Sequence, residues 1–236
     1  MTNLFRSLVF VPGNNPRFLE KAKSISADIV CFDLEDSVPE KEKTKARKLI
    51  KSALKQRKHY SANIYARTNS PESGKIGSDL KEIMQKGIDG IVIPKVNSAK
   101  ELKKIEKTII SLEKKGKISG TRIIPSIESA LGVVNCYEIA SCSKRIDALV
   151  FGIFDLLNDV GIEYTKGNPI GAKYARYKIP VDTSAAGVYA IDGIWQDIKD
   201  KSGLKKDCDI GRSLGYVGKS IIHPDQIETV HKIYHP

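Results

Sequence analysis

The sequence has little of what marks a membrane protein, a disulfide-rich secreted protein or a structural zinc site. Its 236 residues hold no uninterrupted apolar stretch long enough to cross a membrane, and they begin without a long apolar signal region. We therefore expect a soluble cytoplasmic protein with no membrane partner. None of the four cysteines forms a CxxC pair, and the four histidines form no cluster. This excludes the common zinc-site patterns and argues against a disulfide framework.

Acidic residues are outnumbered by basic ones, with 28 Asp and Glu against 39 Lys and Arg, so the formal net charge is +11. Most lysines lie in helix-like stretches such as residues 41–58 and 100–117, where they alternate with Glu and apolar residues as on a solvated helix face. The sequence lacks the basic motif with interleaved aromatics of known RNA- or DNA-binding modules, so we expect no nucleic-acid partner. A basic balance instead favours a ligand that carries phosphates or several carboxylates.

Short apolar runs alternate with longer amphipathic stretches along the whole chain. The apolar runs are typical of buried strands and occupy residues 7–11, 28–32, 63–66, 90–93, 123–127, 148–151, 187–191 and 217–222. Helices are expected at residues 18–24, 41–58, 79–86, 98–114, 131–140, 201–214 and 225–234. Residues 156–185 are the least regular part, and we expect loops and one or two helices there.

A regular alternation of strands and helices predicts parallel βαβ units. Eight such units in 236 residues predict an α/β fold, a (β/α)8 TIM barrel formed as a single domain by residues 1–236. A doubly wound open sheet is the alternative, but no GxGxxG opens the first βα unit. The functional groups of barrels lie on the loops after the strands. We therefore expect the active site at the carboxyl ends of the strands.

Two acids at these strand ends predict a metal site. The residues at the predicted ends include Pro12, Gly13, Glu35, Asp36, Arg67, Asn69, Lys95, Glu128, Asp155, Asp192 and His223. Glu128 and Asp155 follow neighbouring strands, and Mg²⁺ often takes one or two protein carboxylates together with water and substrate oxygens. The alternative is that each acid caps the helix after it, because acids are common at helix starts.

Arg67 ends an otherwise apolar strand, where its guanidinium could bind a carboxylate of the substrate or a developing oxyanion. A salt bridge to Glu35 or Asp36 on the neighbouring strand end is the alternative. Both roles can hold, because an acid can orient a catalytic arginine. We expect one of the acids in residues 33–36 to reach the site through an arginine or a water, and we count Arg67, Glu35 and Asp36 as catalytic candidates.

Four further residues are candidates for substrate binding. Lys95 offers a point charge for a phosphate or carboxylate, and a metal-type acid pair argues against a Schiff-base role for it. Pro12 and Gly13 belong to a tight turn whose bare amides could cradle phosphate oxygens. Asn69 lies on the loop after the third strand. His223 is as suited to capping the last helix as to a direct role.

The strand-end residues belong to short motifs that appear in one consistent order. They are RSLVFVPG at residues 6–13, DLEDSV at 33–38, ARTN at 66–69, IPK at 93–95, IESA at 127–130, FGIFD at 151–155 and IHPDQI at 222–227. This set resembles the citrate lyase beta subunit family from the first strand to the last helix. Only residues 164–187 match poorly.

The resemblance implies a (β/α)8 barrel, usually a trimer, with Mg²⁺ held by Glu128 and Asp155 and with Arg67 as the arginine of the substrate oxyanion. It implies cleavage or formation of a carbon–carbon bond between an acetyl thioester and an oxo acid such as oxaloacetate or glyoxylate. The acyl group, for example citryl or malyl, is carried by coenzyme A or by an acyl carrier protein.

One departure from the family concerns the proton shuttle. Larger relatives continue past the last barrel helix with a segment that carries a catalytic acid, and this sequence stops at Pro236. We therefore expect a neighbouring subunit, Glu35, Asp36 or a water to move the proton. Two alternative functions stay open. One is a metal-dependent aldolase that acts on free hydroxy-oxo acids, and the other is a non-catalytic barrel subunit of a larger lyase complex.

Overall fold

The computed structural model describes residues 4–164 and 170–235, and its strands form a closed parallel barrel in sequence order. The strands are β1 (Ser7–Pro12), β2 (Ile29–Asp33), β3 (Asn63–Arg67), β4 (Gly90–Ile93), β5 (Arg122–Ile127), β6 (Ala148–Phe151), β7 (Tyr189–Asp192) and β8 (Gly218–Ile221). Each strand pairs in parallel with the next, and β1 pairs with β8 to close the sheet. The predicted (β/α)8 barrel is confirmed.

Helices follow the strands and cover the outside of the barrel. They are α1 (Pro16–Lys21), α2 (Lys43–Leu54), α3 (Ile76–Ile83), α4 (Ala99–Gly116), α5 (Ala130–Val134), α6 (Cys136–Ser141), α7 (Ile153–Asp159), α8 (Lys173–Ala186), α9 (Lys201–Leu214) and α10 (Ile227–Ile233). Within the described ranges, none of them is long and apolar enough to cross a membrane.

The helices depart from the sequence-based expectation at residues 131–140, whereas residues 156–185 contain loops and parts of two helices as expected. The single helix expected at residues 131–140 is two helices, α5 and α6, which meet at Asn135. The side chain of Asn135 donates a hydrogen bond to the carbonyl of Asn97 (2.8 Å), so this residue is tied to the loop after β4. The irregular stretch at residues 156–185 contains the end of α7 and most of α8, while residues 165–169 lie outside the described part.

Side chains alternate between two cores along each strand, because successive residues of a strand point to opposite faces. In β1, Leu8 faces the barrel interior whereas Val9 packs under the helices. In β2, Cys31 faces the interior, and so does Asp33 two residues further on. The same alternation carries Arg67 of β3 to the inner face at the carboxyl end of the barrel.

Candidate active site

The carboxyl ends of the strands surround a pocket of about 430 Å³, a size within the usual range of small-molecule sites. The residues that line it are Phe10, Pro12, Asp33, Asp36, Ser37, Arg67, Ser126, Glu128, Val150, Phe151, Gly152, Ile153, Phe154, Asp155, Ile194, Ser220 and Ile222. Half of these side chains are apolar, and the charged ones are four acids and one arginine. Charges within apolar walls are poorly screened and therefore act strongly on one another.

Arg67 and Asp33 form an ion pair with two hydrogen bonds, from Nε to Oδ1 (2.7 Å) and from Nη2 to Oδ2 (2.8 Å). The two residues are register partners on β3 and β2, so strand pairing itself brings them together. Burial alone would raise the pKa of Asp33, but the charge and hydrogen bonds of Arg67 outweigh this and hold that pKa at about 2. The guanidinium also lies 4.6 Å from the centre of the Phe10 ring. Arg67 is therefore a fixed positive charge in the pocket wall.

Glu35 and Asp36 approach the remaining nitrogen of Arg67. Nη1 lies 3.2 Å from Glu35 Oε2 and 3.1 Å from Asp36 Oδ2. The Glu35 contact lacks hydrogen-bond geometry, so Oε2 of this buried carboxyl has no hydrogen-bond partner among residues 4–164 and 170–235. Burial, assisted by the charges of Glu128 and Asp36, raises the pKa of Glu35 to about 8 despite Arg67. Glu35 can therefore hold a proton near neutral pH.

Glu128 lies just past the end of β5 and is 4% exposed. Its Oε1 accepts a hydrogen bond from the backbone amide of Lys95 (2.7 Å). Gly152 leaves room for the carboxyl, since a Cβ at that position would lie 2.2 Å from Glu128 Oε2. Burial and the negative charge of Asp155 raise the pKa of Glu128 to about 7, although Arg67 and Lys95 act in the opposite direction.

Asp155 lies in the first turn of α7 and not at the end of a strand, which corrects the sequence-based expectation. The strand β6 ends at Phe151, and the helix begins two residues later. Asp155 nevertheless lines the same pocket as Glu128. Its Oδ1 lies 3.2 Å from Lys95 Nζ, which also lies 3.4 Å from Glu35 Oε1. Lys95 thus connects the acids on both sides of the pocket.

The helix-capping alternative fails for Glu128, because Ser129 caps α5 by accepting a hydrogen bond from the amide of Gly132 (3.0 Å). For Asp155 it holds only in part. A carboxylate in the first turn of α7 does favour the helix dipole, but the cap residue of α7 is Gly152, which makes no side-chain capping bond. Both acids remain available to a ligand in the pocket.

The residues present fit a divalent cation. Five carboxylates, Asp33, Glu35, Asp36, Glu128 and Asp155, surround the cations of Arg67 and Lys95, which leaves a formal charge of −3. In the described part of the chain, no three Asp, Glu, His or Cys side chains converge as a complete metal cluster. A cation here would therefore take two carboxylates and complete its coordination with water or substrate oxygens, which is the habit of Mg²⁺.

Two of the predicted substrate-binding groups are placed differently by the structure. The amide of Gly13 donates a hydrogen bond to the carbonyl of Asp33 (2.9 Å), so the prediction that it is bare is wrong. Asn69 is buried, and both its amide and its side-chain nitrogen donate to Asp79 Oδ2 (2.7 Å each). This geometry does not support a substrate contact by Asn69. Pro12 does line the pocket.

Asp192 and His223 also stand apart from the pocket. Asp192 follows Ala190 on the helix-facing side of β7, where it pairs with Arg176 of α8 and with Lys219 of β8. These buried groups and Asp207 tie α8 and α9 to the barrel. His223 caps the start of the short 3₁₀ turn at residues 224–226, just before α10, by accepting a hydrogen bond from the backbone amide of Asp225 (3.2 Å), as its capping alternative predicted.

Some residues of the pocket were not singled out from the sequence. Ser126, Ser220 and Phe10 line it, and alternation along each strand is the signal that could have found them. Ser126 precedes Glu128 by two residues and therefore shares its face. The role of Asp33 as the main partner of Arg67 depends on the register between β2 and β3, which cannot be read from the sequence.

Comparison with known proteins agrees with the motifs at the strand ends. The sequence model of the HpcH/HpaI aldolase/citrate lyase family matches residues 6–224. The citrate lyase subunit beta of Leuconostoc mesenteroides subsp. cremoris is 37% identical over 236 residues, which cover 99% of this chain and 78% of that protein. The (3S)-malyl-CoA thioesterase of Cereibacter sphaeroides is 31% identical over 232 residues, which cover 98% of this chain and 78% of that protein.

A solved structure shares the fold over nearly the whole chain. The citrate lyase beta subunit of M. tuberculosis, complexed with oxaloacetate and magnesium, superposes with a TM-score of 0.82 and 26% identity. The match covers 99% of this chain and 98% of that one. The resemblance inferred from the sequence motifs is confirmed. The chain belongs to the HpcH/HpaI aldolase/citrate lyase family.

Proposed function

We propose that the chain is a Mg²⁺-dependent carbon–carbon lyase that cleaves or forms a 3-hydroxy-3-carboxyacyl thioester such as citryl-CoA or malyl-CoA. Cleavage gives an acetyl thioester and an oxo acid such as oxaloacetate or glyoxylate. The observation that carries the proposal is the pocket in which Arg67 lies beside Glu128 and Asp155. The relatives support it, since their names include citrate lyase, malyl-CoA and a complex with oxaloacetate and magnesium.

Glu128 and Asp155 are the residues that would hold the cation. When bound, a divalent cation supplies a Lewis acid that lowers the pKa of a substrate hydroxyl beside a carboxylate. The protein prepares this position by keeping Glu128 buried and by fixing its Oε1 with the amide of Lys95. The raised pKa of Glu128 reflects a carboxylate that lacks solvation and that gains from a cation close by.

The reaction needs one proton to leave an oxygen and one to reach a carbon. In cleavage the hydroxyl loses its proton, its oxygen becomes the carbonyl of the oxo acid, and the adjacent carbon–carbon bond breaks. The electron pair of that bond moves into the enolate of the acetyl thioester. A proton is then added to the enolate carbon, so atoms and charges balance without an oxidant or reductant.

Arg67 is suited to the charge of the enolate oxygen. It is held by Asp33, so its position does not depend on the substrate. Fixed donors that face a developing negative charge stabilise a transition state without reorganisation. Burial alone would lower the pKa of Arg67, but the surrounding acids raise that pKa well above its ordinary value. The guanidinium therefore stays charged throughout.

Glu35 is suited to carry the proton, with Asp36 as the exposed acid beside it. The Glu35 carboxyl is buried, its Oε2 is within 3.2 Å of Arg67 Nη1, and its pKa is about 8. A group whose pKa lies near the working pH can both take and return a proton. Asp36 is largely exposed and connects this position with solvent. In this proposal Lys95 pairs with a carboxylate of the substrate or of Glu35.

A panel of thioesters tests the proposal. The protein is incubated with Mg²⁺ and citryl-CoA, malyl-CoA, their acyl-carrier-protein forms or the free hydroxy acids, and the products are resolved by chromatography. Release of an acetyl thioester together with an oxo acid is the expected result. Turnover of the free acids alone would instead identify a metal aldolase. The expected trimer stays a prediction, which light scattering of the same sample can check.

The thioesterase among the relatives makes hydrolysis a second candidate. The same panel separates it, since hydrolysis releases free coenzyme A and an intact hydroxy acid. If no substrate turns over although Mg²⁺ binds, the chain is a non-catalytic subunit and the proposed activity is wrong.

A further inference from the structure

Lys95 holds an unusual place beside this pocket, since it contacts acids through both its backbone and its side chain. Its amide donates to Glu128 Oε1 (2.7 Å), and its Nζ lies 3.2 Å from Asp155 Oδ1 and 3.4 Å from Glu35 Oε1. Its side chain is 34% exposed, so these contacts are made at the pocket and not in the core. One residue thus touches both predicted metal ligands and the predicted proton carrier.

The backbone of Lys95 is in the left-handed region, with φ of 53°. This conformation is unfavourable for a residue other than glycine, because its Cβ crowds the backbone. Lys117 has a similar φ of 50°, but it ends helix α4, where left-handed residues are common. Lys95 lies two residues past the end of β4 and caps no helix. In this conformation the backbone amide of Lys95 donates its hydrogen bond to Glu128 Oε1.

The contact with Asp155 has a second consequence. The ammonium lies 3.2 Å from Asp155 Oδ1, so it already shares the carboxylate that a divalent cation would use as a ligand. Two positive charges that compete for one carboxylate also repel each other within apolar walls. Lys95 and the cation therefore oppose each other at Asp155, while the amide of Lys95 keeps Glu128 in place for the cation.

We propose that Lys95 is a positioning residue that sets the affinity of the pocket for its divalent cation, by competing for Asp155 through its ammonium and fixing Glu128 through its amide. This inference rests on the proposed metal site. It explains why a lysine lies beside the acids of this pocket, between Asp155 of the lining and the adjacent Glu35. Competition by Lys95 would give the pocket a moderate affinity for the cation. The positive charge of Lys95 would then remain in place to bind an anionic substrate beside the cation.

Calorimetric titration of the full chain with MgCl₂, without substrate, tests the inference. Lys95→Met removes the ammonium but keeps the side-chain length and the amide, so Mg²⁺ is expected to bind about tenfold more tightly than to the wild type. Lys95→Arg keeps the charge and is expected to stay within about threefold of the wild type. Lys117→Met is the matched control for a left-handed lysine outside the pocket, and it should change nothing.

Lys95→Gly guards against a folding defect, since glycine adopts a positive φ without strain. It is expected to show the same tightening, and thermal melting in EDTA and in Mg²⁺ should show a larger gain in melting temperature than the wild type. Equal or weaker Mg²⁺ affinity in both Lys95→Met and Lys95→Gly overturns the role of Lys95. Absence of Mg²⁺ binding to the wild type overturns the proposed metal site itself, which distinguishes the two failures.

Discussion

Asp33 and Arg67 lie opposite each other on neighbouring strands and share two hydrogen bonds, of 2.7 and 2.8 Å, at the inner face of the barrel. The pair places a buried carboxylate under the guanidinium that faces the pocket. Because Ser37 and the backbone amide of Glu35 also donate hydrogen bonds to the carboxylate, the arginine is held facing the pocket. The pocket is thus prepared by the sheet before any ligand enters.

Loss of this pair should destabilise the fold strongly. In Asp33→Asn the carboxylate is replaced by an amide, so that an NH₂ group faces the guanidinium, and breaking a buried pair costs about 3–5 kcal/mol. Urea unfolding measures the change in free energy. Asp209→Asn is the control, because its pair with Lys205 is exposed and worth less than about 1 kcal/mol. Equal losses in the two variants would contradict the account of Asp33.

The pKa of Glu35 predicts a pH dependence of stability. The folded-state pKa of Glu35 is about 8, above the ordinary value of 4.5. The protonated carboxyl therefore contributes its full stability to the fold below pH 4.5, and this contribution is lost across the window from pH 4.5 to about 8. Each unit of pKa difference corresponds to about 1.4 kcal/mol. Glu35→Gln does not titrate, so in EDTA its stability relative to the wild type should increase with pH across that window. A constant difference, measured by urea unfolding at several pH values, would show that the pKa is not raised.

Gly152 is predicted to be needed for the site and not for the fold. In Gly152→Ala the new methyl would lie 2.2 Å from Glu128 Oε2 and must displace that carboxyl. Misplacement by about 1 Å can cost about 100-fold in rate, and Mg²⁺ affinity should fall as well. Gly77→Ala is the control, since a Cβ at this position in α3 meets nothing within 4 Å. If Gly152→Ala binds Mg²⁺ like the wild type, the carboxyl of Glu128 is not a ligand.

Asp192 is predicted to stabilise the protein without taking part in catalysis. Asp192→Asn weakens the buried pairs with Arg176 and Lys219 and should cost about 3 kcal/mol or more. Because this side chain faces the helices, kcat of the folded variant at low temperature should stay within about threefold of the wild type. A loss of kcat that exceeds the loss of folded protein would place Asp192 in the site.

The sequence was sufficient for the barrel and for most of its active face. Apolar runs at regular spacing predicted all eight strands, and the breakers after them predicted the rim on which Glu128 and Arg67 lie. The active face could be predicted because the parallel strands of a barrel have their carboxyl ends on one side, independent of the loop conformations. The motif order then identified the family from the same residues.

What the sequence left open depends on contacts between distant residues. Asn69 and Gly13 look like ligands until Asp79 and the carbonyl of Asp33 are found to occupy their donors. Asp192 looks like the other acids at strand ends, because β7 is apolar on both faces and does not reveal which face is inside. The left-handed backbone of Lys95 could not be predicted, because such conformations are usually indicated by a glycine or an asparagine and this position has neither.

The most direct measurement is the rate of acetyl-CoA release from the thioester that turns over best, with the wild type and Glu128→Gln at the same Mg²⁺ concentration. Since residues that only support a metal ligand already contribute about 10–100-fold, loss of the ligand itself should lower the rate by more than about 100-fold, and excess EDTA should abolish wild-type turnover. Turnover that survives both the substitution and the chelator would contradict a cation held beside Arg67 as the basis of this site.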